Sequence, residues 1–327
     1  MEYPNYTIIS YCCDKYPGIG GVARYDSQLN IIFPSRVFFT GPKQKNLMLE
    51  FLSKCSNPIV ITDNHLSCDI PNQYPILLVH HGCAKTTSER TPNWDKYWRD
   101  LCCNGQNIML NYRDPLKTWI ISISKACSDD FTKYYSDSYT KFKRLDILHP
   151  SEFNDSIYKN TFNSNPKVLG NWAHEKKGKD LIPDLIKNSK QFEFIQLNIS
   201  PGKNESLENF NKRKQQIYLD SDIFLQISVS EGNSYATLDA LLCGLVVVAS
   251  NVGLFYADVP EDCFVKIPWE KNNDTEFVLE KINYAWENRE VISAKGRKWY
   301  EENCSFFEWK KKMYTVVEEF GKYIYYN

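Results

Sequence analysis

No stretch of this chain approaches the ~20 consecutive apolar residues that span a bilayer. Its first ten residues, MEYPNYTIIS, hold no apolar leader core. The formal net charge is −1 with an isoelectric point near 6.5, so no basic field draws the chain to nucleic acid. C-x-x-C is absent: the eleven cysteines are odd in number and include two adjacent pairs, Cys12–Cys13 and Cys102–Cys103. They read as reduced thiols, and the expected location is a reducing compartment, the cytoplasm. Neither G-x-G-x-x-G, G-x-S-x-G nor H-E-x-x-H occurs, which speaks against nicotinamide enzymes, serine hydrolases and zincins. No repeat of 20–50 residues is visible, so a solenoid is not expected.

What is present is a large core. Of 327 residues, 43% are hydrophobic and 24% charged, the make-up of a globular protein of two ordinary domains. Short β-branched runs alternate with helical spacing almost throughout, which predicts parallel sheets wrapped by helices. In the first half, strands are expected at Thr7–Tyr11, Val37–Thr40, Pro58–Thr62, Ile76–His80, Thr118–Ile123 and Leu145–Leu148. Helices are expected at Gly20–Asn30, Lys45–Lys54, Trp94–Cys103 and Lys125–Tyr135, with a long loop after His80. The polar segment from His149 to Asn165 is the seam. Beyond it the scheme restarts at Lys167–Gly170 and repeats through Phe192–Gln196, Ile223–Val229, Leu245–Ala249 and Cys263–Ile267. The expected domains are residues 1–152 and 153–305, followed by a terminal helix over 306–327 with apolar spacing from Phe306 to Phe320.

The segment from Phe224 to Gly253, FLQISVSEGNSYATLDALLCGLVVVASNVG, reads as strand, acidic loop, short helix, glycine stop and buried strand. Glu231 precedes the helix and Asp239 lies one turn inside it. The N–H groups of Ser234, Tyr235 and Ala236 at the helix start can receive a phosphate, and the two acids can receive sugar hydroxyls. This segment resembles the donor-site signature of retaining glycosyltransferase family 4, where an E-x7-E pair brackets the start of such a helix. The second acid here is one methylene shorter. The resemblance implies a GT-B fold: two Rossmann-like doubly wound domains facing a central cleft, the last helix crossing back to the first domain.

Lys167–Leu181, KVLGNWAHEKKGKDL, is similar to the same family's phosphate loop. The resemblance gives the lysine role to Lys177, with Lys176 the alternative if the loop is shifted by one residue. The family's usual arginine is replaced by Asn171, which loses a permanent bidentate charge. PGIGGVARY, Pro17–Tyr25, looks like the family's first glycine loop, with Gly20 and Gly21 allowing close backbone approach to donor or acceptor. In LLVHHGCAKTT, His81 matches the histidine that reaches the donor sugar, and His65 has weaker support. A metal shared by His80 and His81 is disfavoured because neighbouring strand residues face opposite sides. The Asp220-Ser-Asp222 triplet reads as ordinary turn acids before a strand rather than a cation site.

The expected activity is transfer of a sugar from a nucleotide diphosphate-sugar to a glycan, lipid-linked or other hydroxyl acceptor, with retention and without a metal. No cofactor beyond the co-substrate is implied, and peripheral membrane contact is compatible with a lipid-linked acceptor. Two alternatives stand beside it: an epimerase- or phosphorylase-like enzyme on the same fold, and a non-catalytic nucleotide-sugar-binding subunit.

Overall fold

The computed structural model describes residues 6–13 and 20–326. The chain divides into two compact units, residues 1–149 with 307–327, and residues 150–306. The first unit begins β1 (Thr7–Cys12), α1 (Gly21–Ile32), β2 (Val37–Thr40), α2 (Lys45–Lys54), β3 (Pro58–Asp63) and β4 (Ile76–His80). It continues α3 (Ala84–Arg90), α4 (Lys96–Tyr112), β5 (Thr118–Ser122), α5 (Lys125–Tyr139) and β6 (Lys143–Asp146). Its six strands are all parallel and lie in the order β2-β1-β3-β4-β5-β6. β3, β4 and β5 are buried along their whole length, as the apolar runs require when helices cover both faces.

The second unit contains β7 (Lys167–Gly170), α6 (Ile182–Asn188), β8 (Glu193–Gln196), α7 (Leu207–Leu219), β9 (Ile223–Gln226) and α8 (Tyr235–Cys243). It is completed by β10 (Val246–Ser250), α9 (Leu254–Ala257), β11 (Val265–Ile267), α10 (Thr275–Glu287) and α11 (Arg289–Asn303). The five strands are again parallel, ordered β11-β10-β9-β7-β8. Val168, Ile223, Leu225, Val246 and Val248 form the heart of its core. The terminal helix α12 (Phe306–Tyr325) packs in the first unit. There Trp309 meets the Tyr25 ring edge-on at 5.6 Å, and Phe320 lies 5.1 Å from Trp119. The hydroxyls of Tyr314 and Tyr325 donate to the carbonyls of Ile32 and Pro58, each at 2.6 Å.

Both sheets reverse direction in the same way: the second strand lies on one side of the first, and the third on the other. In each, the crevice beyond the C-terminal ends of those first and third strands is the topological switch point, where open α/β sheets bind ligands. In the second unit these are β7 and β9.

Several expected boundaries move. The loop after His80 contains α3. The helix expected to stop at Cys103 continues to Tyr112, because Gly105 is not a terminator: a Cβ there would sit 2.9 Å from the His65 side chain. The sixth strand is Lys143–Asp146 rather than Leu145–Leu148, since at the sheet edge pairing rather than apolar content sets the register. The strand expected over Ile223–Val229 ends at Gln226, where the chain leaves the sheet to bond a neighbouring loop.

Candidate functional site

The loop after β7 makes a three-residue 3-10 turn, Glu175–Lys177, and ends at Gly178. Gly178 has φ +84°, and a Cβ on it would stand 2.3 Å from Ile227, so glycine is required for this loop to lie on β9's exit. The Val229 N–H donates to the Lys176 carbonyl at 3.0 Å, stapling the loop after β7 to the loop after β9. The consequence is a direct ion pair: Lys177 Nζ lies 3.0 Å from Glu231 Oε1. The Ser228 hydroxyl donates to the same oxygen at 2.8 Å. Asn272, buried, braces this loop by donating from Nδ2 to the Ser228 carbonyl, while its Oδ1 accepts from Ser250. Lys177 and Glu231, fifty-four positions apart, therefore meet at the switch point of the second sheet.

Directly beyond Glu231 the chain enters α8. Ser234 is its N-cap, with no side-chain cap bond, and Ser234 and Ala236 are partly exposed while Tyr235 is buried. The helix ends at Gly244, whose φ of +78° is the left-handed stop expected from the sequence. A first helical turn beside a lysine and a glutamate can hold an anion on backbone N–H groups and hydroxyls on a carboxylate. Lys176 is exposed at the same turn and Asn171 is half-buried at the end of β7.

Asp239 is placed differently from the role that the resemblance implies. Its side chain is fully buried, its Oδ1 accepts from the Ser151 hydroxyl at 2.5 Å, and its Oδ2 pairs with Lys214 Nζ at 2.7 Å. The lysine is itself buried against the rings of Phe153 and Tyr218. Both carboxylate oxygens are thus spent inside the unit, on the seam segment and on α7. Asp222 behaves similarly: it is fully buried and accepts from Lys159, from the Asn163 backbone and side chain, and from the Lys167 N–H. Burial pushes its pKa up, but these donors more than offset that and hold it below the ordinary carboxylate range. The triplet Asp220-Ser-Asp222 thus supplies a buried anchor for the seam, beyond a simple turn.

In the first unit, His81 follows β4 and its Nε2 lies 2.8 Å from Asp63 Oδ1, at the end of β3. Tyr25 abuts the imidazole edge-on at 5.2 Å. Asp63 neighbours a second buried pair, Asp26 with Arg36 at 2.8 Å. Burial raises the Asp26 pKa despite the guanidinium, and the Asp63 charge adds to that rise. His80 points the other way into the core, stacked 3.9 Å from Phe131. Burial, then the neighbouring His81, push its pKa down to about 3. Gly20 caps α1 and Gly21 opens it, both exposed, while Pro17–Ile19 of that glycine loop lie outside the described residues. His65 lies in the 3-10 turn Asn64–Asp69, packed on Gly105.

Sequence reasoning missed Asp63, Ser228, Lys214 and Ser151. Asp63 had a signal, an acid closing an apolar strand at the sheet's ligand edge. The others are ordinary polar residues whose partners only folding supplies. A groove of about 690 Å³ also opens beside Asn171, floored by Trp172, Ile182, Pro183, Ile186 and Leu197. Among the described residues, no group of three or more His, Cys, Asp or Glu side chains is placed to hold a metal ion, and no helix is long and apolar enough to cross a membrane.

Two parallel-sheet units with a terminal helix packed into the first define the GT-B fold, and the solved structures similar to this chain have it. Sucrose-phosphate synthase from Thermosynechococcus elongatus is similar over 96% of this chain and 98% of its own, at 13% identity and a TM-score of 0.71. HepE from Anabaena, in complex with UDP and glucose, is similar over 95% and 99%, at 12% identity and a TM-score of 0.64. WaaG, a glycosyltransferase involved in lipopolysaccharide biosynthesis, is similar over 94% and 99%, at 14% identity and a TM-score of 0.61. No family model and no curated protein matches the sequence.

Proposed function

We propose that this protein is a glycosyltransferase that moves a sugar from a nucleotide diphosphate-sugar to a hydroxyl acceptor, with retention at the anomeric carbon and without a metal. The observation that carries the reading is the Lys177–Glu231 pair, 3.0 Å apart beside the start of α8 at a topological switch point. The similar HepE structure, solved with UDP and glucose, supports a nucleotide-sugar as the ligand.

In this reading the donor diphosphate takes Lys177 from Glu231 and rests on the N–H groups at the start of α8. Lys177 and those amides stabilise the negative charge that grows on the leaving diphosphate as the glycosidic bond breaks. Glu231, released, accepts sugar hydroxyls. Asn171 donates a neutral hydrogen bond where a guanidinium would give a charged pair, so Lys177, with Lys176 near it, carries more of the neutralisation. The apolar side chains of Ile182, Pro183, Ile186 and Leu197 that line the groove suit a nucleobase. Asp239 serves as an internal brace for α8. The first unit carries its own candidate, His81 held on Asp63, which hydrogen-bonds a sugar hydroxyl.

The test is a thermal-shift screen against UDP-, GDP-, ADP- and dTDP-sugars, followed by acceptor-dependent nucleotide release with the best donor. Stabilisation by one donor, with turnover lost in Lys177→Ala and Glu231→Ala, is the expected result; no stabilisation by any donor sinks the reading. The neutral Asn171 and the withdrawn Asp239 favour one alternative, a binding subunit that holds the donor without transfer. Tight binding with no turnover across a broad acceptor screen would select it.

A further inference from the structure

Asp63 closes β3 at the ligand edge of the first sheet and is 3% exposed. Of its two oxygens, Oδ1 meets His81 Nε2 at 2.8 Å, while Oδ2 is buried with no hydrogen-bond partner. The neighbouring guanidinium does not serve it. Arg36 pairs with Asp26 at 2.8 Å, and the Cys12 thiol also donates to Asp26. A buried carboxylate with one oxygen unsatisfied costs stability, and an apolar side chain would suit the end of a buried strand better. What the acid does here is hold His81.

A carboxylate oxygen only accepts, so at 2.8 Å Nε2 must carry the hydrogen. In a neutral imidazole the other nitrogen is then a lone-pair acceptor. That nitrogen, Nδ1, has no partner among the described residues, and the side chain keeps 13% of its exposure. His80 is the contrast: both of its nitrogens are buried and unpartnered, and its ring is stacked in the core. The His81 ring is also held from the side. Tyr25 stands edge-on to it at 5.2 Å and is itself wedged by Trp309 at 5.6 Å and His149 at 6.0 Å. The Tyr25 hydroxyl meets the Met313 sulfur at 3.8 Å. Asp63 decides which imidazole nitrogen is open, and Tyr25 limits where it lies.

We propose that Asp63 is a positioning residue that holds His81 as the Nε2–H tautomer, so that Nδ1 accepts a hydrogen bond from a ligand hydroxyl. Assigning that hydroxyl to the donor sugar rests on the sugar-transfer reading; the tautomer does not. A fixed acceptor selects a sugar with a free hydroxyl at the contacted carbon. It rejects one with fluorine or hydrogen there, because neither can donate. Asparagine keeps the shape of the acid but brings an amide that can donate. In Asp63→Asn that amide can donate to Nε2, which moves the ring hydrogen to Nδ1 and turns the acceptor into a donor.

The experiment begins with nitrogen-15 NMR of the histidine-labelled full chain at mildly alkaline pH, where an ordinary imidazole is neutral, with the signals assigned by His81→Gln. The expected result is a protonated Nε2 and a bare Nδ1 in the parent, and the reverse or a mixture in Asp63→Asn. A parent with the hydrogen on Nδ1, or spectra that Asp63→Asn leaves unchanged, overturns the proposal. A second arm titrates the best donor and its deoxyfluoro analogues, one ring position at a time. At one position the parent should bind the fluoro analogue about tenfold more weakly than the donor, and Asp63→Asn should erase most of that preference. In a His81→Ala background Asp63→Asn should add nothing, whereas a merely structural acid would still weaken binding. The same preference in parent and variant, or additive losses with His81→Ala, also overturns the proposal. If no donor binds at all, the sugar-transfer reading fails, while the spectra still decide the role of Asp63.

Discussion

Replacing Glu231 with Gln should tighten the binding of a free nucleoside diphosphate while destroying sugar transfer. In the unliganded protein Lys177 is neutralised by Glu231 at 3.0 Å, so an incoming diphosphate competes with a carboxylate for its cation. At that separation and an effective dielectric of about 20, the raw attraction is about 5 kcal/mol. Lys177 and Glu231 keep 24% and 15% of their side-chain exposure, so solvent screening and desolvation leave a net coupling of about 1 kcal/mol. Removing the charge frees Lys177 for the diphosphate and lowers Kd by about five- to tenfold. The glutamine amide can still accept the Ser228 hydroxyl, which keeps the loop braced. Transfer should meanwhile fall by at least ~100-fold, the scale for losing a group that acts on the reacting substrate. Calorimetric titration with the nucleoside diphosphate of the best donor reads the affinity, and nucleotide release reads the turnover. In a Lys177→Ala background the gain should vanish. A Glu231→Gln protein that is folded, by unchanged circular dichroism, yet binds the diphosphate no better than the parent would refute the claim that this pair guards the phosphate site.

Asp239→Ala should cost roughly 3–5 kcal/mol by urea unfolding, because it leaves Lys214 buried without its partner. The paired change Asp239→Leu/Lys214→Met should recover most of that loss and leave diphosphate affinity unchanged; a folded double variant that no longer binds would restore Asp239 to the ligand. His80 supplies a pH dependence. Its folded pKa of about 3 lies below the ordinary 6.5, so the neutral ring is favoured in the fold and stability is lost as pH falls below 6.5. By pH 5 the loss relative to pH 7.5 is about 2 kcal/mol, and His80→Leu should flatten the stability profile over that interval by the same amount; parallel profiles would contradict it. Gly178→Ala should lower stability by roughly 1–3 kcal/mol, since it combines positive φ with a clash on Ile227, and should weaken diphosphate binding by displacing Lys177. Calorimetric melting and the same titration check both effects.

The inner elements of the second unit were legible because their signals are local. β7, β9, β10 and the helix after Glu231 are short apolar runs ended by loops, and their periodicity survives without knowledge of neighbours. Fully buried parallel strands tolerate little else. Lys177 and Glu231 could be nominated from the loops that follow those strands, and the fold brings them within ion-pairing distance. Edge and loop features were less legible. β6 is a polar edge strand defined by its bonds to β5, which no periodicity reveals. Gly105 mimics a helix stop until the His65 turn is seen packed against it.

Sequence by itself determined the class of architecture, the chain positions of the loops at the sheets' ligand edges, and the residue types those loops carry, because backbone period and glycine placement are written locally. Only the tertiary structure decided which of those residues are available. Asp239 and Glu231 look equivalent as letters flanking a helix start. Burial beside Lys214 and Ser151 commits one to the interior, while a loop stapled to the switch point leaves the other facing Lys177. The same holds for His80 and His81, adjacent in the chain and on opposite sides of the pleat: one is sealed in a dry core and the other rests on Asp63. The charge state and reach of a side chain depend on what folding packs around it, and that is a property of contacts between distant segments rather than of any single stretch.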